Sequence, residues 1–254
     1  MCYDIATKAS VLFDAMGMVP ERDFCKTVAE GFRTAVRTHL VDFSNMVVAG
    51  NCQTSQAMAI YYGILTPAES AQAFRVLVDM IHAQDDHFDV GVLGARVLFD
   101  VLSRGGEADL AYRLITRDTF PSYATWIQQG NTALGEAFSQ DKKPYGSLNH
   151  HFWGDVSGWF IRAVGGIRLN PTGRNVHEVT FAPKFIGALS HAEAKHQAPD
   201  GALSCAWKRD GADVLLTVSF PEGMTARVEL PQGWQLKEGL WKLESGAELR
   251  CVRG

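Results

Sequence analysis

The sequence contains no apolar run long enough to cross a bilayer as a helix, which excludes a helical membrane anchor within it. It also lacks a basic excess. Its 24 Lys and Arg against 28 Asp and Glu give a net charge of -4 and an isoelectric point of about 6.1, which leaves no electrostatic footprint for nucleic acid. The opening MCYDIATKAS has no basic stretch followed by an apolar one, so no secretory signal is expected, and nothing in the sequence fixes a compartment. The five cysteines, Cys2, Cys25, Cys52, Cys205 and Cys251, are scattered and never spaced C-x-x-C. They read as reduced, partly buried thiols rather than a disulfide or zinc framework. G-x-G-x-x-G, the P-loop, G-x-S-x-G and H-E-x-x-H are all missing. No cofactor and no metal are expected.

What is present divides into two kinds of pattern. Up to about Gly166 the apolar residues recur at helical spacing. Ile5, Ala9, Leu12, Phe13 and Met16 share one face, with Gly17 as a stop. Phe24, Val28, Phe32 and Val36 follow at intervals of four after Pro20, which suits a first helical turn. CQTSQAMAIYYGIL reads as a buried helix ended by Gly63, and Thr66-Pro67-Ala68-Glu69 as a capping box opening the next. Leu93, Val97, Leu98, Val101 and Leu102 mark a further helix, and Leu110, Leu114 and Ile115 another. Short connections between successive helices argue for antiparallel hairpins.

From about Asn170 the period changes to two, as in Val214-Leu216-Val218-Phe220 and Ala226-Val228-Leu230, with Pro, Gly and Asp-Gly punctuation. The expected class is therefore α+β and multidomain. A helical domain over 1–168 precedes a small antiparallel β-sandwich over 169–254.

The stretch from Thr119 to Gly166 carries the chemistry. A Pro-Ser turn opens a short aromatic helix broken by Gly130, and a second short helix is expected to hold Glu136. A polar loop leads to Asn149, His150 and His151, and then to an amphipathic helix through Val156, Trp159, Phe160, Ala163 and Val164. A lone helical glutamate is most often simply solvated. Beside Tyr123, Trp126, Phe152 and Trp153, however, it fits one half of the carboxyl pair that glycosidic hydrolysis requires, because aromatic faces stack on the C–H faces of sugars. His150 and His151 are adjacent and so expected to point apart, which suits a hydrogen bond to a sugar better than joint metal ligation. Asp85-Asp86-His87 reads as a loop following a helix, and Lys142-Lys143 as solvated charge.

Several segments resemble the bacterial α-L-rhamnosidases of glycoside hydrolase family 78, inverting enzymes built on an (α/α)6 six-hairpin barrel. Gln53-Thr54-Ser55-Gln56-Ala57 is similar to that family's Q-T-A-Q-A, and Phe88 to Gly94 to its F-x-T-G-F-L-G. Ala108 to Leu114 resembles a family helix. Thr119 to Glu136 follows T-x-(Y/F)-P-S-W…G-A-T-T-x-W-E, and Ser147 to Trp159 follows S-x-N-H-x-x-F-G-x-V-x-x-W. The resemblance implies a general base at Glu136 and sugar contacts at His150, Tyr123, Trp126, Asn149 and Phe88, with a rhamnosylated glycoside or oligosaccharide as substrate. Gly135 stands where the family has tryptophan, and Trp126 is placed to refill that space.

The resemblance further implies that the chain carries the base but lacks the segment bearing the general acid. About eight helices stand against the twelve of six hairpins, giving a partial barrel whose open face a homo-oligomer or a further N-terminal segment would cover. A truncated, non-catalytic carbohydrate-binding remnant is the alternative. An epimerase on the same barrel, using histidines for proton transfer, is a third.

Overall fold

The computed structural model describes residues 1–138, 146–169, 175–239 and 243–254. The chain forms two compact units, one of residues 1–101 and 116–153, the other of 102–115 and 154–254.

In the first unit α1 (Cys2–Ala15) and α2 (Val19–Leu40) form a hairpin. Gly17, at φ +71°, supplies the left-handed turn between them, and its amide bonds the Asp14 carbonyl at 3.1 Å. A two-stranded ribbon of β1 (Val41–Asp42) and β2 (Val47–Val48) then leads to α3 (Gln53–Tyr61) and α4 (Pro67–His82). The Thr66 capping box is complete at the start of α4: its hydroxyl accepts from the Glu69 amide and its own amide donates to Glu69. The same Glu69 carboxylate takes a two-pronged pair from Arg37 of α2 at 2.6 and 2.9 Å, while Arg33 and Arg37 both donate to the Ile64 carbonyl at 3.2 Å. Met46, Val48, Ala59, Ile64, Leu65 and Ala73 form the core these ties enclose. Gln56 is fully buried within it and satisfied three times, by the Val48 amide and the carbonyls of Met46 and Ala73.

The apolar faces expected on α1 and α2 exist but are not covered. Ile5, Leu12, Met16 and Phe24 are 61%, 65%, 69% and 69% exposed, and the buried positions of the hairpin are the small ones, Ala6, Ser10 and Ala29. Further along the first unit, α5 (Val92–Arg104) begins and α7 (Tyr123–Gln128) follows a Ser122 cap.

The second unit holds α6 (Ala108–Thr116, its last residue in the first unit), α8 (Asp155–Trp159) with a π turn over Phe160–Val164, and two sheets. β5 (His191–Ala198), β6 (Gly201–Asp210), β7 (Asp213–Ser219), β10 (Glu248–Arg253) and β9 (Trp234–Leu236) form an antiparallel sheet in that order. β3 (Ile167–Leu169), β4 (Glu178–Phe181) and β8 (Thr225–Val228) form the other, and β3 contacts β5 and β6. Leu203, Cys205 and Trp207 of β6 face inward with Val214, Leu216 and Val218 of β7, the period-two signature of a half-buried sheet. The sandwich is thus as expected, with one difference. β4 pairs with β8 in parallel, because a whole antiparallel meander intervenes between them in the chain. Two buried indoles anchor the helical turns of this unit: Trp207 donates to the Val164 carbonyl at 2.8 Å and Trp159 to the Ser103 hydroxyl at 2.8 Å. Eight α-helices stand among the described residues.

Candidate active site

Glu136 is not helical. After α7 the chain turns left-handed at Gly130, φ +81°, and residues 131–138 run as bends and irregular backbone. Gly135 is buried, and a Cβ on it would lie 2.9 Å from Nε1 of Trp126. Trp126 therefore fills the space that the missing side chain leaves.

Segment 134–136 lies alongside 147–150 through two backbone bonds, Glu136 N–H to the Ser147 carbonyl and His150 N–H to the Leu134 carbonyl, each 2.8 Å. The glutamate and the histidine thus stand on neighbouring segments. The Glu136 carboxylate is exposed, and its Oε2 accepts from the Ser147 amide at 2.9 Å. Gly146 lies beneath it at φ +77°, and any Cβ there would overlap the carboxylate. Ser147 and Gly146 are the site residues sequence reasoning missed. Ser147 opens the S-x-N-H segment, but a backbone amide has no side-chain signature.

Below the carboxylate lies an aromatic cluster of Phe88, Tyr123, Trp126, Phe138 and Trp153. Trp126 stacks on Phe138 at 4.1 Å and Trp153 meets Phe138 edge-on at 4.7 Å. Phe88 touches Phe138, Tyr123 and Trp153 at 5.2–6.3 Å. Phe88 and Trp126 are buried, 1% and 3% exposed, while Tyr123 is half-buried and donates through its hydroxyl to the Trp153 carbonyl at 3.2 Å. Phe88 is set in place from α3: Gln53, itself buried, donates to the His87 carbonyl at 3.0 Å and accepts from the Asp89 amide at 2.9 Å. Both indole N–H groups beneath the acid are engaged, Trp126 with the Ala137 carbonyl at 3.3 Å and Trp153 with the Glu136 carbonyl at 3.0 Å.

Asn149 is exposed and His150 half-buried at the rim. The two histidine rings do not diverge: they lie 6.4 Å apart at 23°, because His151 begins a tight turn (His151–Gly154) instead of continuing an extended strand. Phe152, 55% exposed, sits 5.2 Å from His150 and 4.4 Å from His151, and offers an uncovered aromatic face. The acidic pair at the other loop is committed elsewhere. Asp85 pairs with Arg117 at 2.9 Å and Asp86 with His82 at 2.6 Å, as a structural loop would have it. Among the described residues no group of three or more His, Cys, Asp or Glu could hold a metal ion.

Residues 3–164 match the model of the bacterial α-L-rhamnosidase six-hairpin glycosidase domain. The chain belongs to that family. Residues 166–240 match the C-terminal domain of the same rhamnosidases. An α-L-rhamnosidase of Formosa agariphila is 30% identical over 210 residues, 79% of this chain and 22% of its own length. One of Streptomyces avermitilis is 29% identical over 219 residues, 84% of this chain and 21% of its own. Among solved structures, a Streptomyces avermitilis α-L-rhamnosidase complexed with L-rhamnose aligns with a TM-score of 0.80 at 26% identity, covering 99% of this chain and 25% of that one. A rhamnosidase from Dictyoglumus thermophilum shares the fold, with a TM-score of 0.84 at 22% identity over 99% of this chain and 30% of that one. The chain spans about a fifth of the length of these curated relatives. The six-hairpin resemblance read from the sequence is therefore established, and so is the rhamnosidase-type C-terminal domain that follows it.

Proposed function

We propose that this chain carries the general-base part of a glycoside hydrolase of the α-L-rhamnosidase type, which releases terminal α-L-rhamnose from a rhamnosylated glycoside or oligosaccharide with inversion, and that Glu136 is that base. The observation that carries the reading is an exposed carboxylate fixed at one oxygen by the Ser147 amide. No group among the described residues bonds its other oxygen, and that oxygen is proposed to take the water. An inverting hydrolase needs such a carboxylate on one face of the sugar and an acid about 6.5–9.5 Å away. No residue of this chain is proposed as that acid, since Asp85 and Asp86 serve ion pairs.

His150 and Asn149 are the polar groups proposed to bond the sugar hydroxyls. Phe152 adds a stacking face, and Phe88, Tyr123 and Trp126 form the support beneath. In this reading the helical catalytic domain runs over 1–168 and the β-sandwich over 169–254, a division by type of element that differs from the two compact units.

The test is turnover of a dinitrophenyl α-L-rhamnoside, whose leaving group departs without a general acid, by the chain and by Glu136→Gln, with L-rhamnose binding measured on both and the anomer first released identified by NMR. Loss of turnover in the variant with binding retained, and release of the inverted sugar, supports the proposal. Undiminished turnover in Glu136→Gln places the base elsewhere. Binding of L-rhamnose by the unmodified chain without any turnover assigns it a carbohydrate-binding role instead.

A further inference from the structure

We infer that Trp153 and Trp126 are positioning residues for Glu136, acting through its backbone and not through the sugar. This rests on the assignment of Glu136 as the base. Their indole N–H groups bond two successive carbonyls, those of Glu136 at 3.0 Å and Ala137 at 3.3 Å. Each ring is also held by the other and by Phe138: Trp126 and Trp153 meet edge-on at 5.7 Å, and Phe138 packs against both. Two rigid donors thus fix the peptide planes on the C-terminal side of the acid, while Glu136 N–H is fixed to the Ser147 carbonyl at 2.8 Å. With the backbone held on both sides, the remaining freedom of Glu136 lies in its side chain, and the Ser147 amide closes it at Oε2.

Two glycines make the arrangement sterically feasible. Gly135 lets the Trp126 indole reach the backbone, and Gly146 lets the carboxylate lie flat on the opposing segment. A segment without helix or sheet would otherwise wander, and displacement of a catalytic group by about 1 Å can cost on the order of a hundredfold in rate. An aromatic ring in a site of this kind is ordinarily read as a sugar platform. At 3% exposure each, packed against Phe138 and against one another, these two are not available for that.

The experiment uses Trp153→Phe and Trp126→Phe in the whole chain, since phenylalanine removes the donor and keeps an aromatic ring in the cluster, while a transition that stays cooperative shows that the smaller ring is tolerated. Hydrogen exchange at the Ser147 amide reports the carboxylate's position, because that amide bonds Oε2 and neither indole. The expected result is faster exchange at Ser147 in both variants with the melting transition still cooperative, together with kcat on a dinitrophenyl α-L-rhamnoside, which needs no general acid, about ten- to a hundredfold lower and KM within about twofold. Unchanged Ser147 exchange in both variants overturns the inference whatever the kinetics. Lowered kcat with a raised KM also overturns it, since that pattern belongs to a ring that touches substrate. Faster Ser147 exchange in a chain whose Glu136→Gln variant keeps full turnover leaves the clamp standing and removes the base assignment, so the two failures are distinct.

Discussion

Glu136 and Ser147 bond each other twice: the glutamate amide donates to the serine carbonyl at 2.8 Å, and the serine amide donates to the glutamate carboxylate at 2.9 Å. The reciprocity explains how an acid on an irregular segment is held as firmly as one on a helix. It also defines the cleanest substitution. In Glu136→Gln the amide oxygen still accepts from Ser147, so the geometry survives and only proton acceptance is lost. We expect kcat to fall by about 10²–10⁴-fold with L-rhamnose affinity nearly unchanged. Steady-state kinetics and calorimetry on the same preparations check it.

The Arg37–Glu69 pair predicts a specific acid response. Its hydrogen bonds with Arg37, aided by the Thr66 amide, hold the Glu69 carboxyl at about 2, against an ordinary 4.5. A carboxyl whose pKa is lowered by folding adds stability above its unfolded pKa and loses it as pH falls through the folded one. The unmodified chain should therefore exceed Glu69→Gln in melting temperature near neutrality. That gap should close between pH 4.5 and about 2, as thermal scans across the window would show. A gap that stays constant would mean that the pair contributes through packing alone.

The buried thiols should be inert. Burial pushes Cys205 up to about 12 and Cys251 up to about 11, so neither forms thiolate near neutrality. They cannot pair either. β6 and β10 flank β7, which sets their backbones roughly 9.5 Å apart, beyond the ~7 Å reach of a disulfide. We expect iodoacetamide at mildly alkaline pH to modify exposed Cys2 first and to spare Cys205 and Cys251 until denaturant is added. Peptide mapping reads this directly.

The α1–α2 hairpin predicts association. Ile5, Leu12, Met16, Phe24 and Phe32 are all at least 43% exposed on one hairpin, and large apolar side chains gathered at the surface mark a contact face. The chain should appear larger than 27.9 kDa by light scattering, with the apparent mass rising with concentration. Replacing Leu12 and Phe24 with lysine and glutamate should shift it toward the monomer mass. A monomer at every concentration would show that these faces do not drive contact.

Much of the helical layer was legible in the sequence because its signals are local. The Thr66–Glu69 capping box, the Ser122 cap and the stops at Gly17, Gly63 and Gly130 each act within one turn of chain, and each is found as written. β7 and β8 were legible for the same reason. β5 was not, because its buried positions, Ala194 and Ala198, are too small to register as a hydrophobic stripe until a second sheet lies against them; in β6 the alternation of Leu203, Cys205 and Trp207 is blurred by the apolar Ala202 and Ala206 on the other face.

By itself the sequence determined the change from helical to strand period near Asn170, the family, and the nomination of Glu136 and His150. Only the tertiary structure decided how Glu136 is held. The helix expected there gives way to an irregular segment because Gly135 admits the Trp126 indole and because residues 147–150 offer backbone partners eleven or more positions away. The fate of the aromatics was decided the same way. A tryptophan in a polar loop carries the same letter whether it lines a cleft or supports one. For Trp126 and Trp153 only the fold brings the packing against Phe138 and the carbonyls within reach of their N–H groups.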